Sequence, residues 1–476
     1  MQLVRIAGPT AQLRPLGQVE GLDLKRASAI LLDDDTWQVS GYATDEALAE
    51  LQSRGLTTEL VIAPERVAEE REVLFSQMAV QAAAENAYPS TPQGIEDALG
   101  ALTIAHPALC TRTVLPNPTH ENRRVSYVRV ASSETGEGRR RVLFIGGAHA
   151  REWVPPDALL TLLQRLLAAY EAGTELVVPA FTDPAPTPDI VYPEATIPAA
   201  DVERILERVE LFVAPLVNPD GRAFSQSAPV NAMWRKNRRP PAPGTPPQCR
   251  GVDPNRNHDI AWDLERYYDD EGEVAVAAST NPCDPQVYIG PSAASEPETQ
   301  NVVKLLRDEE IEFFVDVHSY ARKLLYPWGM DNNQSRDPSQ NYDNPEWDDR
   351  REGSPGGVYG EYIPEDALSR HVQVGQAMHD AILEASGTDD RARARSLYAV
   401  EPGLALYPTT GTASDYAYGV ALVDGQPARP VVSFTLECGS DADGEGGFQP
   451  VPAMYPKVER EVHLALLAML VAAAGD

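Results

Sequence analysis

Short apolar runs that suit buried β-strands alternate with helical segments along most of this chain. Val142–Ile145, Leu211–Val217 and Phe313–Val317 are such runs. Asp157–Tyr170 is a strongly amphipathic helical segment between the first two. The alternation begins near Tyr88 and is typical of a sheet with helices packed on it. We therefore predict an α/β fold with a mixed, largely parallel central sheet flanked by helices.

The N-terminal part of the chain has a different pattern. Residues 1–75 carry short β-prone runs around one predicted helix, with Thr44 as its N-cap, and Thr57–Ile62 follows as a strand. This pattern predicts a small α+β unit. The segment Glu65–Asn86 is charged and alanine-rich and predicts a helix. We predict that residues 76–87 form a helical connector and that residues 88–476 then form the main domain.

Two polar segments interrupt the main domain. Glu171–Ala200 is rich in proline, threonine and aspartate, and we predict that it is an inserted loop. Asp331–Glu361 is acidic and contains glycine and proline. It predicts a long loop of the kind that often lies over a functional site.

The charge balance excludes some classes of partner. The 476 residues include 40 Lys and Arg against 71 Asp and Glu, which gives a net charge of −31. A nucleic-acid binder needs a basic surface, and so does a protein that binds anionic membranes. No run reaches the roughly 18 apolar residues of a membrane span. The N-terminus lacks a signal-peptide pattern, so we expect a cytoplasmic rather than a secreted protein.

Three predicted strands end in residues that suit a metal site. The Val142–Ile145 run leads through two glycines into His149 and Glu152. The Phe313–Val317 run leads directly into His318, and a third apolar run, Val431–Leu436, leads directly into Glu437. Ligands of open α/β sheets bind beyond the carboxyl ends of the strands. A catalytic zinc takes three ligands from histidine and carboxylate and leaves one position open. His149, Glu152 and His318 would complete such a set, whereas the 4 cysteines contain no C-x-x-C pair.

A basic cluster lies between the first two of these sites. Arg235 opens it, and the neighbouring pair Asn255 and Arg256 suits the capture of a carboxylate. For the other basic residues, a solvated loop is the favoured interpretation: Lys236, Arg238 and Arg239.

Several short motifs lie in one order along the chain. They are His149-Ala-Arg-Glu152, Asn218-Pro-Asp-Gly221, Met233-Trp-Arg-Lys-Asn237, Gly251-Val-Asp-Pro-Asn-Arg-Asn257, His318-Ser-Tyr320 with Leu325-Tyr-Pro-Trp-Gly329, Leu406-Tyr407 and Phe434-Thr-Leu-Glu437. Their order and local spacing resemble those of the zinc metallocarboxypeptidases of the carboxypeptidase A/B type. The resemblance covers about Tyr88 to Ala474.

The resemblance implies a zinc-dependent hydrolase that releases the last amino acid of a peptide or protein. It implies that His149, Glu152 and His318 hold one Zn²⁺ per chain. Glu437 resembles the general base that takes a proton from the attacking water. Asp253 resembles the carboxylate that orients His149.

The resemblance also implies a set of substrate-binding residues. Arg235 resembles the cation that stabilises the oxyanion. Asn255, Arg256 and Tyr407 resemble the groups that hold the terminal carboxylate, and Ser414 resembles the floor of the pocket for the last side chain. Because Ser414 is small and uncharged, we expect a preference for uncharged side chains. The predicted pocket walls are Leu325, Gly329, Pro402 and Thr435. Groups at the next subsite inward are Arg151, Ser319 and Tyr320.

Two features remain open at this stage. Cys249 and Cys283 lie where some relatives carry a disulfide, and two reduced thiols are the alternative. Residues 1–75 lie where relatives carry an activation segment, and a permanent accessory domain is the alternative. The oligomeric state and the physiological substrate do not follow from the sequence.

Two other functions compete with a carboxypeptidase. A related zinc amidase or deacylase would act on cell-wall peptides or acylated amino acids with a different carboxylate-binding group. The joint presence of Asn255, Arg256 and Tyr407 argues against it. A non-catalytic binding homologue would have lost a metal ligand or the base, and none of these residue types is missing from the motifs.

Overall fold

The computed structural model of the protein describes most of the chain. The described residues are 2–13, 16, 19, 21–32, 36–81, 88–132, 138–183, 188–270, 272, 276–353, 357–424, 431–441 and 446–475.

The N-terminal unit is built on a four-stranded antiparallel sheet with strand order β2-β3-β1-β4. Its elements are β1 (Gln2–Pro9), α1 (Thr10–Leu13), β2 (Leu22–Leu31), β3 (Thr36–Ala43), α2 (Asp45–Ser53), β4 (Thr57–Ile62) and α3 (Pro64–Gln81). Thr44 caps α2 by accepting a hydrogen bond from the Ala47 N–H at 3.2 Å. The central strand β1 was not predicted, because Ala7 and Gly8 weaken its apolar alternation.

The main domain alternates strands and helices. Its first half contains α4 (Pro92–Ala105), β5 (Cys110–Val114), β6 (Ser126–Val130), β7 (Arg140–Gly146), α5 (Val154–Ala172), β8 (Leu176–Val178), β9 (Phe181–Asp183), β10 (Ile190–Tyr192), β11 (Ala195–Ile197), α6 (Ala199–Arg208), β12 (Val209–Ala214) and α7 (Pro219–Ser225). Its second half contains α8 (Leu264–Tyr267), α9 (Pro297–Asp308), β13 (Phe313–Ser319), β14 (Lys323–Tyr326), β15 (Asn333–Gln334), β16 (Glu361–Tyr362), α10 (Glu365–Ala385), α11 (Asp390–Ala394), β17 (Ala399–Pro402), α12 (Ala413–Asp424), β18 (Val432–Cys438) and α13 (Tyr455–Gly475).

An eight-stranded sheet forms the centre of the main domain, in the order β17-β14-β18-β13-β7-β12-β6-β5. The four central strands β18, β13, β7 and β12 are parallel to one another. The pairs β12–β6, β5–β6 and β14–β18 are antiparallel, and β14–β17 is parallel. The predicted mixed α/β fold with a largely parallel centre is confirmed.

Helices cover both faces of this sheet. Val142 and Phe144 of β7 enter a core that includes α5, α6, α10 and α13, whereas Leu143 and Ile145 enter a second core that includes α9 and α12. Burial on both faces explains why the central strands are continuous apolar runs. Among the described residues, no helix is both long and apolar enough to cross a membrane.

The prediction of an inserted loop over residues 171–200 was wrong in part. This segment contains four short strands, of which β8 pairs with β11 and β9 pairs with β10. Each strand is only 3 residues long, so none produces a readable alternation in the sequence. The segment also ends in α6, whose buried face packs on the sheet.

Candidate active site

The predicted metal ligands and base meet at the carboxyl ends of neighbouring central strands. β7 leads through a turn at Gly147 into His149 and Glu152. β13 carries His318 and β18 carries Glu437, and these two residues lie opposite each other in parallel register. Gly147 has a φ of +67°, and a Cβ there would lie 2.6 Å from a leucine side chain. Glycine therefore permits the tight turn that brings His149 over the sheet end.

The side chains of His149, Glu152 and His318 converge in a buried cluster. The Nδ1 atom of His149 lies 2.7 Å from Glu152 Oε1 and 3.0 Å from His318 Nδ1. His318 Nδ1 lies 2.9 Å from Glu152 Oε2. Neighbouring ligand atoms of a tetrahedral zinc site are about 3.3 Å apart, given bond lengths of about 2.0–2.1 Å. The cluster is close to this spacing.

The outer nitrogens of the two histidines face carboxylates. His149 Nε2 lies 3.2 Å from Asp253 Oδ1, and His318 Nε2 lies 2.7 Å from Asp316 Oδ2. A carboxylate at Nε2 keeps a proton there and leaves the Nδ1 lone pair directed at the cluster. Two neutral histidines and one carboxylate are a donor set that fits Zn²⁺. Asp253 was predicted in this role, whereas Asp316 was missed.

Glu437 and Arg235 lie in one pocket with His149, which we call the catalytic pocket. Glu437 is half-buried at its wall, and desolvation raises the pKa of its carboxyl to about 7 despite the opposing charge of His318. Arg235 donates from Nε and Nη2 to Asp253 Oδ2 at 2.9 and 2.8 Å. Burial lowers the pKa of Arg235, but Asp253 outweighs this effect and raises it. A fixed cation and a carboxyl that can exchange a proton therefore share the pocket.

The predicted carboxylate-binding residues line the same catalytic pocket. Asn255 and Arg256 lie in a short 3₁₀ turn, where Asn255 Oδ1 accepts a hydrogen bond from the Ala413 N–H at 2.8 Å. Arg256 donates from Nε to the Ala277 carbonyl at 2.6 Å. These bonds fix both side chains, and Tyr407 lines the pocket beside them. The arrangement places two arginines and a phenol where an anionic group could bind.

Uncharged residues, most of them small, form one part of the catalytic pocket. Its lining there comprises Leu325, Gly329, Gly403, Ser414 and Thr435. The hydroxyls of Ser414 and Thr435 lie 3.0 Å apart. Asp415 also lines the pocket, and both oxygens of its carboxylate accept from the Gly329 N–H, at 3.1 and 3.0 Å. Pro402 was predicted as a wall, but among the described lining residues its neighbour Gly403 occupies that place.

Two of the predicted inner-subsite residues contact a phenylalanine that does not belong to the described lining of the pocket. The Arg151 guanidinium lies 4.1 Å from the centre of the Phe448 ring. The Tyr320 ring contacts the same ring edge to face at 4.8 Å. Ser319 donates from its backbone N–H to Glu152 Oε2 at 3.1 Å. Phe448 was missed, because a lone aromatic in a glycine-rich segment gives no sequence signal.

The prediction of a solvated basic loop was wrong. Lys236 is only 1% exposed, and its Nζ donates to the Asp284 carbonyl. Burial lowers the pKa of Lys236 to about 8. Arg238 lies over the Phe224 ring at 3.6 Å, and Arg239 pairs with a buried glutamate at 2.8 Å. The long aliphatic stems of these side chains allow them to pack against the fold.

A disulfide joins Cys249 to Cys283, which resolves the alternative left open by the sequence. The other two cysteines, Cys110 and Cys438, are buried and free. The disulfide closes the segment that contains Asn255 and so restrains the chain that carries the carboxylate-binding residues.

A second group of possible metal ligands is His120, Glu296 and Glu298. The Asn237 amide donates to both glutamates, at 2.8 and 2.9 Å. Glu296 also pairs with His120 at 2.8 Å and with Arg239 at 2.8 Å. These contacts already fill the space between the carboxylates, so we interpret the group as an ion-pair network.

Comparison with known proteins indicates the same class of protein as the donor set and the pocket do. The family profile described as Zinc carboxypeptidase matches residues 95–465. The chain therefore belongs to the zinc carboxypeptidase family.

Mouse carboxypeptidase A2 is 30% identical over 285 residues, which are 59% of this chain and 57% of that protein. Human carboxypeptidase A1 is 31% identical over 241 residues, which are 50% of this chain and 46% of that protein. The chain thus spans about half the length of the curated relatives it matches.

Solved structures show the same fold over a longer stretch. Carboxypeptidase A from Helicoverpa armigera superposes with a TM-score of 0.69 at 20% identity, over 100% of this chain and 97% of that one. Thrombin activatable fibrinolysis inhibitor superposes with a TM-score of 0.66 at 17% identity, over 100% of both chains. The likeness in architecture therefore extends to the N-terminal unit.

Proposed function

We propose that this protein is a zinc-dependent carboxypeptidase that hydrolyses the C-terminal peptide bond of peptides or proteins. One observation carries the proposal. A single pocket is lined by the ligand His149, by Glu437 and Arg235, and by Arg256 and Tyr407. Water activation, oxyanion stabilisation and carboxylate binding are the functions that an exopeptidase of this kind requires together.

His149, Glu152 and His318 would hold the metal. A bound Zn²⁺ would supply Lewis acidity, which makes water more acidic and a carbonyl more electrophilic. Glu437 accepts the proton of the attacking water and later delivers it to the nitrogen of the leaving amine. Arg235, which Asp253 holds in place, donates hydrogen bonds to the carbonyl oxygen as negative charge develops there.

Arg256, Asn255 and Tyr407 bind the terminal carboxylate of the substrate. A guanidinium pairs with a carboxylate through two parallel hydrogen bonds, which fixes the orientation as well as the position. A substrate held in this way presents its last peptide bond, and no other, to Glu437. The site is therefore specific for chain ends.

The side chain of the last residue enters the part of the pocket formed by Ser414 and Thr435. The hydroxyls there offer no charge that would offset the desolvation of a lysine or arginine. Uncharged terminal residues are accordingly the preferred substrates. The partners are peptides or proteins with a free C-terminus, and the net charge of −31 argues against nucleic acid and anionic membranes.

Metal content and peptide hydrolysis test this function together. The purified protein should bind about one zinc per chain and release the last residue of a chromogenic peptide. Chelation should abolish the release, zinc should restore it, and His318→Ala should lose both metal and activity. Full activity after complete removal of the metal would contradict the proposal.

A further inference from the structure

Asp316 lies on β13, two residues before His318, and its side chain is fully buried. Its Oδ2 atom makes an ion-pair contact with His318 Nε2 at 2.7 Å. The contact is bent, and neither carboxylate oxygen accepts a well-aligned hydrogen bond from another described residue. Asp316 thus departs from the usual rule that buried carboxylates are surrounded by donors.

A buried carboxylate is strongly destabilising unless a positive group compensates its charge. The structure places the Nε2 atom of His318 against Asp316, and an N–H at that position supplies the positive end of a dipole to the carboxylate. The carboxylate of Asp316 therefore faces the Nε2 atom of His318, which is the ring nitrogen turned away from the metal-ligand cluster.

The second metal-ligating histidine has an equivalent contact from a different element. His149 Nε2 lies against Asp253, which is held in turn by Arg235. Asp316 has no arginine of this kind among its described hydrogen-bond partners. A small cavity lies beside it instead, and we call this the rear cavity.

The rear cavity is walled in part by Asp316, His258, Glu298 and Thr299. Three of its atoms have no partner among the described residues: His258 Nε2, Glu298 Oε1 and Thr299 Oγ1. His258 donates from Nδ1 to the Gly411 carbonyl at 3.2 Å, and burial lowers its pKa to about 4. Its Nε2 is therefore an acceptor. The carboxylate oxygens of Asp316, the Oε1 atom of Glu298 and the Nε2 atom of His258 are thus buried acceptors without a well-aligned donor among the described residues, and water is a donor small enough to reach them.

We propose that Asp316 is a positioning residue for His318, and that ordered water in the rear cavity holds the far side of its carboxylate. Asp316 keeps the proton on Nε2 and fixes the ring, so that the Nδ1 lone pair faces the metal. Each histidine ligand then has its own carboxylate. This inference rests on the metal site of the proposed function, but it does not depend on which bond the enzyme cleaves.

The direct test is the zinc affinity of Asp316→Asn, measured by competition with a chelator. The substitution keeps the shape and removes the charge, and we expect affinity to fall about 10- to 100-fold. Glu298→Gln is the matched control, because it makes the same change on another wall of the rear cavity away from His318. We expect its affinity to stay within about 2-fold of wild type. Wild-type affinity in Asp316→Asn, or an equal loss in both variants, would overturn the proposal.

A crystal structure of the zinc-loaded wild type covers the case in which Asp316→Asn does not fold. We expect Asp316 within hydrogen-bond distance of His318 Nε2 and a water bound between Asp316 and His258 or Thr299. A rear cavity that contains no ordered water, or an Asp316 carboxylate turned away from His318, would overturn the proposal. A wild-type protein that binds no zinc would instead defeat the proposed function itself.

Discussion

In the proposed mechanism, Glu437 differs from Glu152 because it transfers a proton and does not bind the metal. We expect Glu437→Gln to lower kcat by about 10²- to 10⁴-fold, since the lost step is proton transfer. Zinc affinity and KM should change only a few-fold. Steady-state kinetics with chelator competition measure all three quantities.

Glu401→Gln is a suitable control for this variant. Glu401 forms an ion pair with Lys323 and does not belong to the described lining of the catalytic pocket. Its kcat should equal that of wild type. If Glu437→Gln retained a kcat near wild type, Glu437 would be structural and the proposed base would be wrong.

Ser414 determines the terminal residue in this account. Wild type should prefer peptides ending in Leu, Phe or Met over Arg. Ser414→Asp places a carboxylate in the pocket, and a hydrogen bond to a charged group contributes about 1.5–3 kcal/mol. We therefore expect the ratio of kcat/KM for Arg over Leu to rise about 10- to 100-fold in the variant.

Asp415 is the internal control for that prediction. Its carboxylate accepts two hydrogen bonds from the Gly329 backbone and is therefore already engaged. A wild type that strongly prefers Arg, with the preference lost in Asp415→Asn, would show that Asp415 rather than Ser414 sets the specificity.

At the scale of elements, the acidic segment Asp331–Glu361 is more than a polar loop. Its ends pair as β15 and β16, and Arg351 inside it is fully buried. Arg351 Nη2 donates to Glu361 and Tyr359, both at 2.8 Å. A buried ion pair therefore organises the segment from within.

The same segment predicts a pH effect on stability. Burial raises the pKa of Asp331 to about 6. The pKa of Asp331 is higher in the folded protein than in the unfolded chain. The contribution of Asp331 to stability is therefore complete below about pH 4 and is lost as the pH rises through about 6. A shift of about 2 units corresponds to at most about 3 kcal/mol.

Asp331→Asn should remove this dependence. The stability of wild type relative to the variant should fall between pH 4 and pH 7, measured as the difference in thermal midpoint. Other carboxylates titrate in both proteins and cancel in the difference. A difference that stays constant over this range would contradict the assignment.

Elements with a strong period were predictable from the sequence. β4 has the predicted bounds, because an isolated run of β-branched and aliphatic residues gives a clear local signal. The short strands β14 and β17 were missed, because their stability comes from pairing with strands that are distant in sequence. Asp316 was missed for a related reason. The role of a single acidic residue in an apolar run can be predicted only when the fold shows which groups surround it.

At the scale of the whole molecule, α3 connects the N-terminal unit to the active-site region. The Phe75 ring contacts the Trp153 ring edge to face at 5.8 Å, next to the ligand Glu152. Leu74 also joins the core of the main domain. The contribution of this contact to stability can be tested without deciding between the two roles left open for residues 1–75.

Phe75→Ala should lower the free energy of unfolding by about 1–2 kcal/mol, as expected for the loss of a half-buried aromatic side chain. Val73→Ala on the same helix is the control, because Val73 is 53% exposed and should change stability by less than about 0.5 kcal/mol. Denaturant titration followed by tryptophan fluorescence measures both. Equal effects of the two variants would mean that α3 is not docked on the main domain.

Specificity for chain ends depends, in the proposed function, on Arg256 binding a terminal carboxylate beside the residues that would hold zinc. The most direct measurement compares one peptide as the free acid and as the C-terminal amide, with the zinc-loaded protein. We predict that the free acid loses its last residue, that the amide is left intact, and that chelation stops the reaction. Equal cleavage of acid and amide would contradict the account and indicate an endopeptidase or an amidase.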